Sequence, residues 1–294
     1  IRRLLHPLSP RGKIVHWGLE GLIATNSLLD HAVHKKPGSI LRNELYRVAT
    51  TEKNVADLKR SAKEMPEFCE WMDDMEGCQS DTVMGGLRLH NGCKVLHVPT
   101  YLEGLWLACC DLGTVEWKIG TMTRYDNHDV VVLAAGAGLW NDQLLSQESD
   151  GPYPMDLVRG QSIDLIVKDM PLHAILAGKY MTPLPDPYLC HVGATQEQIT
   201  DLEMTPRDLY DTLLSQTSFL SLWSSNPAIH RISSGIRVQS RRSHLGRLPM
   251  IGQIGTTNTY LFSGLSSRGL LYHGIYGDLL TDAILGRRDV TEEH

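Results

Sequence analysis

The sequence predicts a mixed α/β fold in which two domains are interleaved along the chain. Residues 130–135 form a continuous apolar run that ends in glycines, which is typical of a buried parallel strand. Residues 173–195 suggest two antiparallel strands around a proline-rich turn at 183–187. Segments with helical periodicity lie between these strands, so neither kind of sheet occupies one continuous half of the chain.

The other elements of the first half follow from periodicity and caps. Apolar residues at helical spacing predict a helix within 14–33, and a threonine cap begins a solvated helix over 50–65. Residues 43–50 have the composition of a strand. Short strands with a turn at Asn91-Gly92 then precede a helix near 99–110.

The second half continues the alternation of strands and helices. Residues 155–167 suggest a strand, a turn and another strand, and residues 205–223 suggest a capped helix. A strand is predicted over 232–240. The strand at 260–263 then leads through a loop of glycine and serine into a final helix.

The composition predicts a soluble intracellular protein, in the cytoplasm or an organelle, without a membrane partner or a metal site. The 294 residues are 42% hydrophobic and 21% charged, and no apolar run approaches the ~20 residues of a membrane span. The six cysteines include no C-x-x-C pair, and scattered thiols favour a reducing compartment. Because the sequence starts at Ile1, a targeting segment could precede it.

Charge is unevenly distributed along the chain. The net charge is −6, but residues 212–277 contain six arginines and no Asp, Glu or Lys, so this stretch carries +6 and the rest −12. A cationic stretch in an acidic protein indicates a local anionic ligand such as a carboxylate or phosphate, although ion pairs within the fold explain any single arginine equally well. The overall acidity and the lack of a basic run argue against a nucleic-acid partner.

Two segments have features of a nucleotide site. Residues 260–280, YLFSGLSSRGLLYHGIYGDLL, run from an apolar strand through a Gly/Ser loop into a helix, which directs backbone N–H groups at a ligand above the loop. Residues 130–141, VVVLAAGAGLWN, contain Gly136 and Gly138, but Asn141 stands where the third glycine of a dinucleotide fingerprint belongs. A strand that ends in a tight turn explains this second motif equally well.

Four blocks of sequence together carry a resemblance to a known family. They are LLHPLSP at 4–10, VVVLAAGAGLW at 130–140, VRGQS with KYMTP and HVGAT within 158–195, and SGIRVQSRRSHLGRLPMIG with YLFSGLSSRGLLYHGIYGDLL within 234–280. With these blocks the chain resembles the D-amino acid oxidase-like family of FAD-dependent oxidoreductases. This family includes glycine and sarcosine oxidases and the tRNA methylaminomethyl-uridine oxidase. The last block is the most specific, since order, spacing and chemistry all agree along it.

The resemblance implies an FAD-binding, Rossmann-like domain interleaved with a substrate domain that contains an antiparallel sheet. The nucleotide-binding part would comprise residues 1–34, 96–145 and 233–285, and the substrate part residues 35–95 and 146–232. In relatives a β-α-β unit with G-x-G-x-x-G precedes the LLHP block, and this sequence begins after it. We therefore expect an N-terminally truncated fold in which FAD binding is weak or lost.

The resemblance also assigns site residues. Arg237 matches an arginine that binds the substrate carboxylate through two hydrogen bonds, and Tyr180 matches a strand tyrosine near the substrate. A structural ion pair and core packing are the respective alternatives for these two expected catalytic residues. Leu184 stands where the family often has an arginine, which leaves the substrate open. The expected cofactor-binding residues are His6, Ala135, Gly136, Trp140, Gly264, Ser266, Ser267, Arg268, Gly269 and Leu270.

The activity that the resemblance implies is oxidation of a glycine-like or N-substituted glycine-like amine, with hydride transfer to FAD. The expected partner is thus a small amino-acid-like molecule. Two alternatives stay open: a truncated, inactive relative that does not hold FAD, and an oxidase that acts on the wobble uridine of tRNA. The sequence leaves the electron acceptor and the oligomeric state open.

Overall fold

The computed structural model describes residues 3–78, 81–120, 128–141, 155–168, 173–199, 203–220 and 227–287. Within these ranges the helices are α1 Gly18–Lys35, α2 Glu52–Glu64, α3 Val98–Leu112, α4 Pro206–Ser215 and α5 Gly269–Ile284. The strands there are β1 Leu4–Leu5, β2 Ile40–Arg42, β3 Leu45–Val48, β4 Cys69–Met72, β5 Gly86–Leu89, β6 Lys94–Leu96, β7 Val131–Leu133, β8 Met155–Ile166, β9 Ile175–Ala177, β10 Lys179–Pro183, β11 Leu189–Gly193, β12 Glu197–Gln198, β13 Ala228–Ser240, β14 Met250–Gln253 and β15 Thr259–Ser263. Short 3-10 turns occupy Gly136–Asn141 and Ser266–Arg268.

Nine of the described strands form one large, mostly antiparallel sheet. Its order is β13, β8, β11, β10, β9, β3, β5 and β4, with β12 beside β11 on the same edge of β8. The β3–β9 pair is parallel. The two longest strands, β8 and β13, pair from Met155–Ser240 at one end to Ile166–Ala228 at the other. This long ribbon carries Arg237.

The two faces of the large sheet differ in polarity, because successive side chains of a strand point to opposite faces. The apolar face packs against α4, and its contributors are Ile163, Leu165, Ile175, Met181, Cys190, Val192, Leu209 and Leu213. The register places a different set on the opposite face, which we call the polar face. Its polar members in β8, β10, β11 and β13 are Ser162, Asp164, Tyr180, Thr182, His191, Arg231, Ser233 and Arg237.

A smaller sheet contains the strands with nucleotide-site features. In it β15 pairs antiparallel with β14 and parallel with β7. The predicted strands at 130–135 and 260–263 therefore lie side by side in one sheet, as expected. The strand at 130–135 was predicted to be buried on both faces, and this prediction is wrong for one face. Val131 and Leu133 are buried, whereas Val132 is 44% exposed. Only the inner face of β7 packs, against Ile254 and Leu261.

Helix α1 packs closely on both α3 and α5 because small residues lie at the crossings. A Cβ atom on Gly21 would lie 2.5 Å from the carbonyl oxygen of Leu271, and one on Gly104 would lie 2.4 Å from the carbonyl oxygen of Ala32. The hydroxyl of Thr25 donates to the carbonyl of Leu270 at 2.8 Å. These contacts fix the first turn of α5 against α1, and with it the loop that precedes α5.

The predicted caps and the Asn91-Gly92 turn are confirmed. The Thr51 hydroxyl accepts from the N–H of Asn54, and the Thr205 hydroxyl accepts from the N–H of Asp208, each at 3.2 Å. Asn91 and Gly92 have φ values of 44° and 95°, which suits a tight hairpin turn.

The turn predicted within residues 155–167 is wrong, because β8 is one uninterrupted strand from Met155 to Ile166. Gly160 lies in the middle of this strand. A Cβ atom there would lie 2.9 Å from Nη2 of Arg237. The glycine therefore makes room for a guanidinium group that crosses the strand.

Candidate functional site

Arg237 and Tyr180, the two expected catalytic residues, lie near each other above the polar face. Gly160 is next to the Arg237 guanidinium, and a Cβ on Gly193 would lie 3.2 Å from the Tyr180 hydroxyl oxygen. Burial lowers the pKa of Arg237, and the nearby Tyr180 opposes this shift. Tyr180 itself is 4% exposed. The structure thus brings together two residues that are 57 positions apart in the sequence.

Arg237 is bound by a backbone carbonyl and not by an acid. Its Nη2 donates to the carbonyl oxygen of Thr195 at 3.0 Å. Among the described residues no carboxylate lies within ion-pair distance of this guanidinium. By contrast, Arg231 and Arg247 of the same cationic stretch pair with Asp164 and Asp156. The ion-pair alternative therefore holds for these two arginines and is not supported for Arg237.

A second cation lies beside Arg237. The Lys179 ammonium donates to the carbonyl oxygen of Ala194 at 2.6 Å. Burial lowers the pKa of Lys179, and the positive charge of Arg237 lowers it further, while Glu197 raises it. Both cations therefore donate to carbonyls of the loop at 194–195, and their combined positive charge favours an anion nearby.

The loop before α5 lies beside the strand that carries Arg237. Gln239 of β13 forms an isolated bridge with Leu265, and the turn Ser266–Arg268 follows directly. Gly264 has φ +73° and Ser266 has φ 54°, so both adopt the left-handed conformation. The N–H of Arg268 donates to the carbonyl of Leu265 at 3.1 Å, so this amide is used within the turn. Gly269 and Leu270 begin α5, where helix N–H groups lack partners within the helix.

His6 lies across a small cavity from the same loop. The cavity has a volume of about 90 Å³ and is lined by Leu4, His6, Leu8, Pro10, Arg47, Ser267, Arg268 and Leu271. His6 also accepts from the N–H of Leu8 through its Nδ1 atom at 3.3 Å. The structure therefore joins the first block of the sequence, LLHPLSP, to the last one.

Ala135 and Gly136 line a different and wider groove. It has a volume of about 700 Å³ and lies between the residues after β7 and the middle of the β8–β13 ribbon, where Arg159 and Gly235 contribute to its wall. A Cβ atom at Gly136 would meet no atom within 4 Å. The backbone of Trp140 belongs to the 3-10 turn, but its side chain lies outside the described residues.

A row of charged and polar side chains on the polar face was not predicted. Arg231, Asp164 and His191 lie directly opposite one another on β13, β8 and β11. Asp164 Oδ1 is 2.6 Å from His191 Nδ1, and Asp164 Oδ2 accepts from Arg231 Nε at 2.9 Å. No motif joins these residues in the sequence, since only the strand register brings them into one row.

The chain matches a family model described as FAD dependent oxidoreductase over residues 3–283. This chain belongs to that family. The match spans every described strand, the loop before α5 and all the expected site residues, so membership rests on the whole fold. FAD is the cofactor of the family.

Proteins similar to this chain include oxidases and a tRNA-modification enzyme. The tRNA 5-methylaminomethyl-2-thiouridine biosynthesis bifunctional protein MnmC of Methylibium petroleiphilum is 26% identical over 75% of this chain, which spans 40% of that relative. The structure of glycine oxidase from Geobacillus kaustophilus matches with a TM-score of 0.73 at 18% identity. The match covers 97% of this chain and 80% of the glycine oxidase chain. Iminodiacetate oxidase from Chelativorans sp. BNC1 has a TM-score of 0.75 at 16% identity, with 98% and 86% covered. These two structures share the fold of this FAD-dependent oxidoreductase.

Two places among the described residues are open to a ligand such as FAD. In the groove beside Ala135 and Gly136 the backbone is accessible, since a Cβ atom at Gly136 would meet no neighbour within 4 Å. The first turn of α5 presents Gly269 and Leu270 at the positive end of a helix, close to the cavity of His6. Residues at both places belong to the set that the sequence assigned to the cofactor.

The described ranges contain neither a candidate membrane span nor a candidate metal site. No helix there combines the length and the apolar character needed to cross a membrane. Those residues also form no group of three or more His, Cys, Asp or Glu side chains suited to a metal ion.

Proposed function

We propose that this chain oxidises a small amine that carries a carboxylate, such as glycine or an N-substituted glycine. The observation that carries the proposal is Arg237, a half-buried guanidinium without an acidic partner among the described residues. It lies between Tyr180 and the loop before α5. Glycine oxidase and iminodiacetate oxidase, two proteins of the same fold, are named for substrates of this kind, which supports the proposal.

Arg237 would hold the substrate carboxylate. Its Nη2 donates one hydrogen bond to Thr195, and the planar guanidinium has further N–H groups for a carboxylate. Lys179 adds positive charge beside it. Tyr180 would limit the space above the polar face and orient the α-carbon. No residue is assigned as a base, because an amine that binds in its neutral form needs none.

Bound FAD would supply the acceptor for the hydride of the α-carbon, and water would hydrolyse the resulting imine to a carbonyl compound and ammonia or an amine. The chain's own contribution is to fix the carboxylate and thereby the direction of the C–H bond. His6, Ala135, Gly136, Trp140, Gly264, Ser266, Ser267, Arg268, Gly269 and Leu270 are the residues that we propose to hold the cofactor.

The division into domains is part of the same proposal. Residues 1–34, 96–145 and 233–285 would hold FAD, and 35–95 and 146–232 would hold the substrate. The β8–β13 ribbon belongs to both parts in this division, which would place Arg237 at their boundary.

The test is a comparison of Arg237→Lys with the parent protein after FAD loading is measured by flavin fluorescence. Turnover of glycine, N-methylglycine and iminodiacetate is then followed as flavin bleaching without dioxygen and as peroxide with it. We expect Arg237→Lys to raise KM at least about tenfold, because lysine keeps the charge but not the two-pronged hydrogen bonding.

Arg241→Lys is the matched control, since Arg241 is exposed in the same cationic stretch and should be neutral. Equal KM values for Arg237→Lys and the parent would refute the carboxylate role of Arg237. If the parent binds FAD but bleaches with none of the three amines, the proposed substrate class is wrong.

The similarity to the tRNA-modification protein supports a second candidate, in which the amine is a substituent of a tRNA base. Both candidates share amine chemistry and differ in the partner. Electrophoretic binding assays with unmodified and modified tRNA separate them. Tight tRNA binding together with no turnover of free amino acids would favour the second candidate.

A further inference from the structure

Three buried polar atoms on or next to the polar face have no hydrogen-bond partner among the described residues. They are Arg3 Nη1, Thr182 Oγ1 and His191 Nε2. The three residues are 7%, 0% and 3% exposed, respectively. Buried polar atoms in folded proteins are nearly always hydrogen-bonded, so a cluster of three indicates a bound group.

The register and the local electrostatics place these atoms together. Thr182 and His191 are directly opposite each other on β10 and β11, where side chains on one face are about 5 Å apart. The ring of His191 lies 5.9 Å from that of Tyr180. Arg3 interacts electrostatically with Asp164, Tyr180 and His191. His191 is thus a neighbour of both Thr182 and Arg3.

The local charge is positive and incompletely balanced. Asp164 uses one oxygen for His191 and the other for Arg231, with which it forms an ion pair at 2.7 Å. Arg3 makes no ion pair within the described residues, although it is almost fully buried. Two arginines against one aspartate leave one positive charge, and an unpaired buried charge is unfavourable. An anion next to Arg3 would give this buried guanidinium an opposite charge as a neighbour.

His191 can supply a third donor when an anion is present. Its Nδ1–H must donate to the Asp164 carboxylate, which leaves the lone pair on Nε2. Burial lowers the pKa of His191; the Asp164 hydrogen bond raises it, Arg3 lowers it, and the Asp164 charge raises it. Tyr180 also faces the ring, and Arg231 lies behind Asp164. An anion beside Nε2 would favour the protonated ring, because it adds an opposite charge.

We propose that Arg3, Thr182 and His191 form a buried site for a small monovalent anion of halide size, and that His191 takes up a proton when the anion binds. The donors are the guanidinium, the hydroxyl and the protonated imidazole. Tyr180 lies next to both His191 and Arg237, so the proposed anion site adjoins the carboxylate site proposed at Arg237 but uses different donors.

Sodium bromide is the probe, compared with sodium gluconate at equal ionic strength. Thermal unfolding and calorimetric titration are run at pH 6 and pH 8, with and without added FAD. We expect bromide to raise Tm and to bind more tightly at pH 6, since a ligand that binds only the folded state stabilises it. Titrations in two buffers with different ionisation enthalpies should report uptake of up to about one proton per anion.

Three variants, one at His191 and a matched pair at Thr182, locate the effect. His191→Asn keeps an N–H for Asp164 but lacks Nε2, so bromide affinity should fall about tenfold or more and its pH dependence should disappear. Thr182→Val removes the hydroxyl at nearly constant shape and should also weaken bromide binding, whereas Thr182→Ser should retain it. If His191→Asn does not fold, the comparison of Thr182→Val with Thr182→Ser tests the proposed site.

Several results would overturn the proposal. If bromide and gluconate have the same effect on the Tm of the parent protein at both pH values, the site holds an ordered water and not an anion. Equal bromide affinities for Thr182→Val and Thr182→Ser, or bromide binding without proton uptake, would also contradict it. Loss of the bromide response on addition of glycine alone would assign the anion to the Arg237 site.

Discussion

At the scale of single residues, two strand glycines make the candidate substrate site possible. A Cβ atom at Gly160 would lie 2.9 Å from the Arg237 guanidinium, and one at Gly193 would lie 3.2 Å from the Tyr180 hydroxyl oxygen. Both positions are inside or at the end of paired strands, where glycine is otherwise unfavourable. Their small size allows large polar side chains to lie flat against the polar face.

Gly160→Ala tests this role of glycine. The added methyl group would displace the flexible end of Arg237 and leave the backbone of β8 in place. We expect KM for a glycine-like substrate to rise about tenfold, the size of one lost charged hydrogen bond, with Tm close to that of the parent. Steady-state kinetics and thermal unfolding measure the two effects.

The control for this variant is Gly235→Ala. Gly235 is paired directly with Gly160 on β13, and a Cβ atom there would meet nothing within 4 Å. Because Gly235 also lines the groove beside Gly136, KM is compared for both variants at saturating FAD. If both alanine variants change KM equally, the effect comes from the ribbon as a whole and the crowding of Arg237 is not its cause.

At the scale of elements, the first turns of α5 are held by its neighbours α1 and α3. Thr25 of α1 donates to the Leu270 carbonyl, and Gly21 allows the close crossing. His273 bonds the Gly269 carbonyl through Nδ1 at 3.0 Å, and its Nε2 is 2.7 Å from the Tyr101 hydroxyl of α3. Since a carbonyl only accepts, Nδ1 carries the proton and Nε2 accepts from Tyr101. These bonds fix the loop beside Arg237 from behind.

Tyr101→Phe should lower the free energy of unfolding by about 1–3 kcal/mol, because it leaves the buried Nε2 of His273 without a donor. Tyr101 is 1% exposed, so water cannot easily replace the hydroxyl. Urea unfolding with unchanged m-values is the measurement. Tyr188→Phe, at a residue that is 64% exposed, is the control, and equal effects of the two substitutions would contradict the assignment.

At the scale of the whole molecule, buried histidines link stability to pH. Burial lowers the pKa of His97, His191 and His273, so each stays neutral in the folded protein at pH values where an unfolded chain takes up a proton. For Asp164 burial raises the pKa, but the contacts with His191 and Arg231 prevail and the net shift is downward. The aspartate contribution is therefore lost only below about pH 4, its ordinary range.

We expect the free energy of unfolding to fall as pH drops below about 6.5, the pKa of an unfolded histidine. Within this window the unfolded state binds more protons than the folded state. Each of the two deeply buried rings, His191 and His273, contributes at most about 1.4 kcal/mol per pH unit. Urea unfolding from pH 7.5 to 5.5 in gluconate measures the slope, which His191→Asn should reduce. A stability that stays constant across this range would refute the linkage.

Local patterns in the sequence predicted the kinds of element, the family resemblance and the residues of the candidate site. Periodicity located α1, the threonines at 51 and 205 marked two caps, and the block around Arg237 indicated a carboxylate ligand. These signals are local, so a few neighbouring residues are enough to produce them. The turn predicted within 155–167 was wrong, because local composition does not record that Gly160 lies in a strand crossed by the side chain of Arg237.

Only the tertiary structure decided which side chains share a face. Arg231, Asp164 and His191 come from three strands, and a shift of one residue in any of them would place its side chain on the other face. Likewise, pairing with acids removes Arg231 and Arg247 from the candidate ligands and leaves Arg237 available. Register and ion pairing depend on contacts between residues far apart in the chain, and no local pattern in one sequence specifies them.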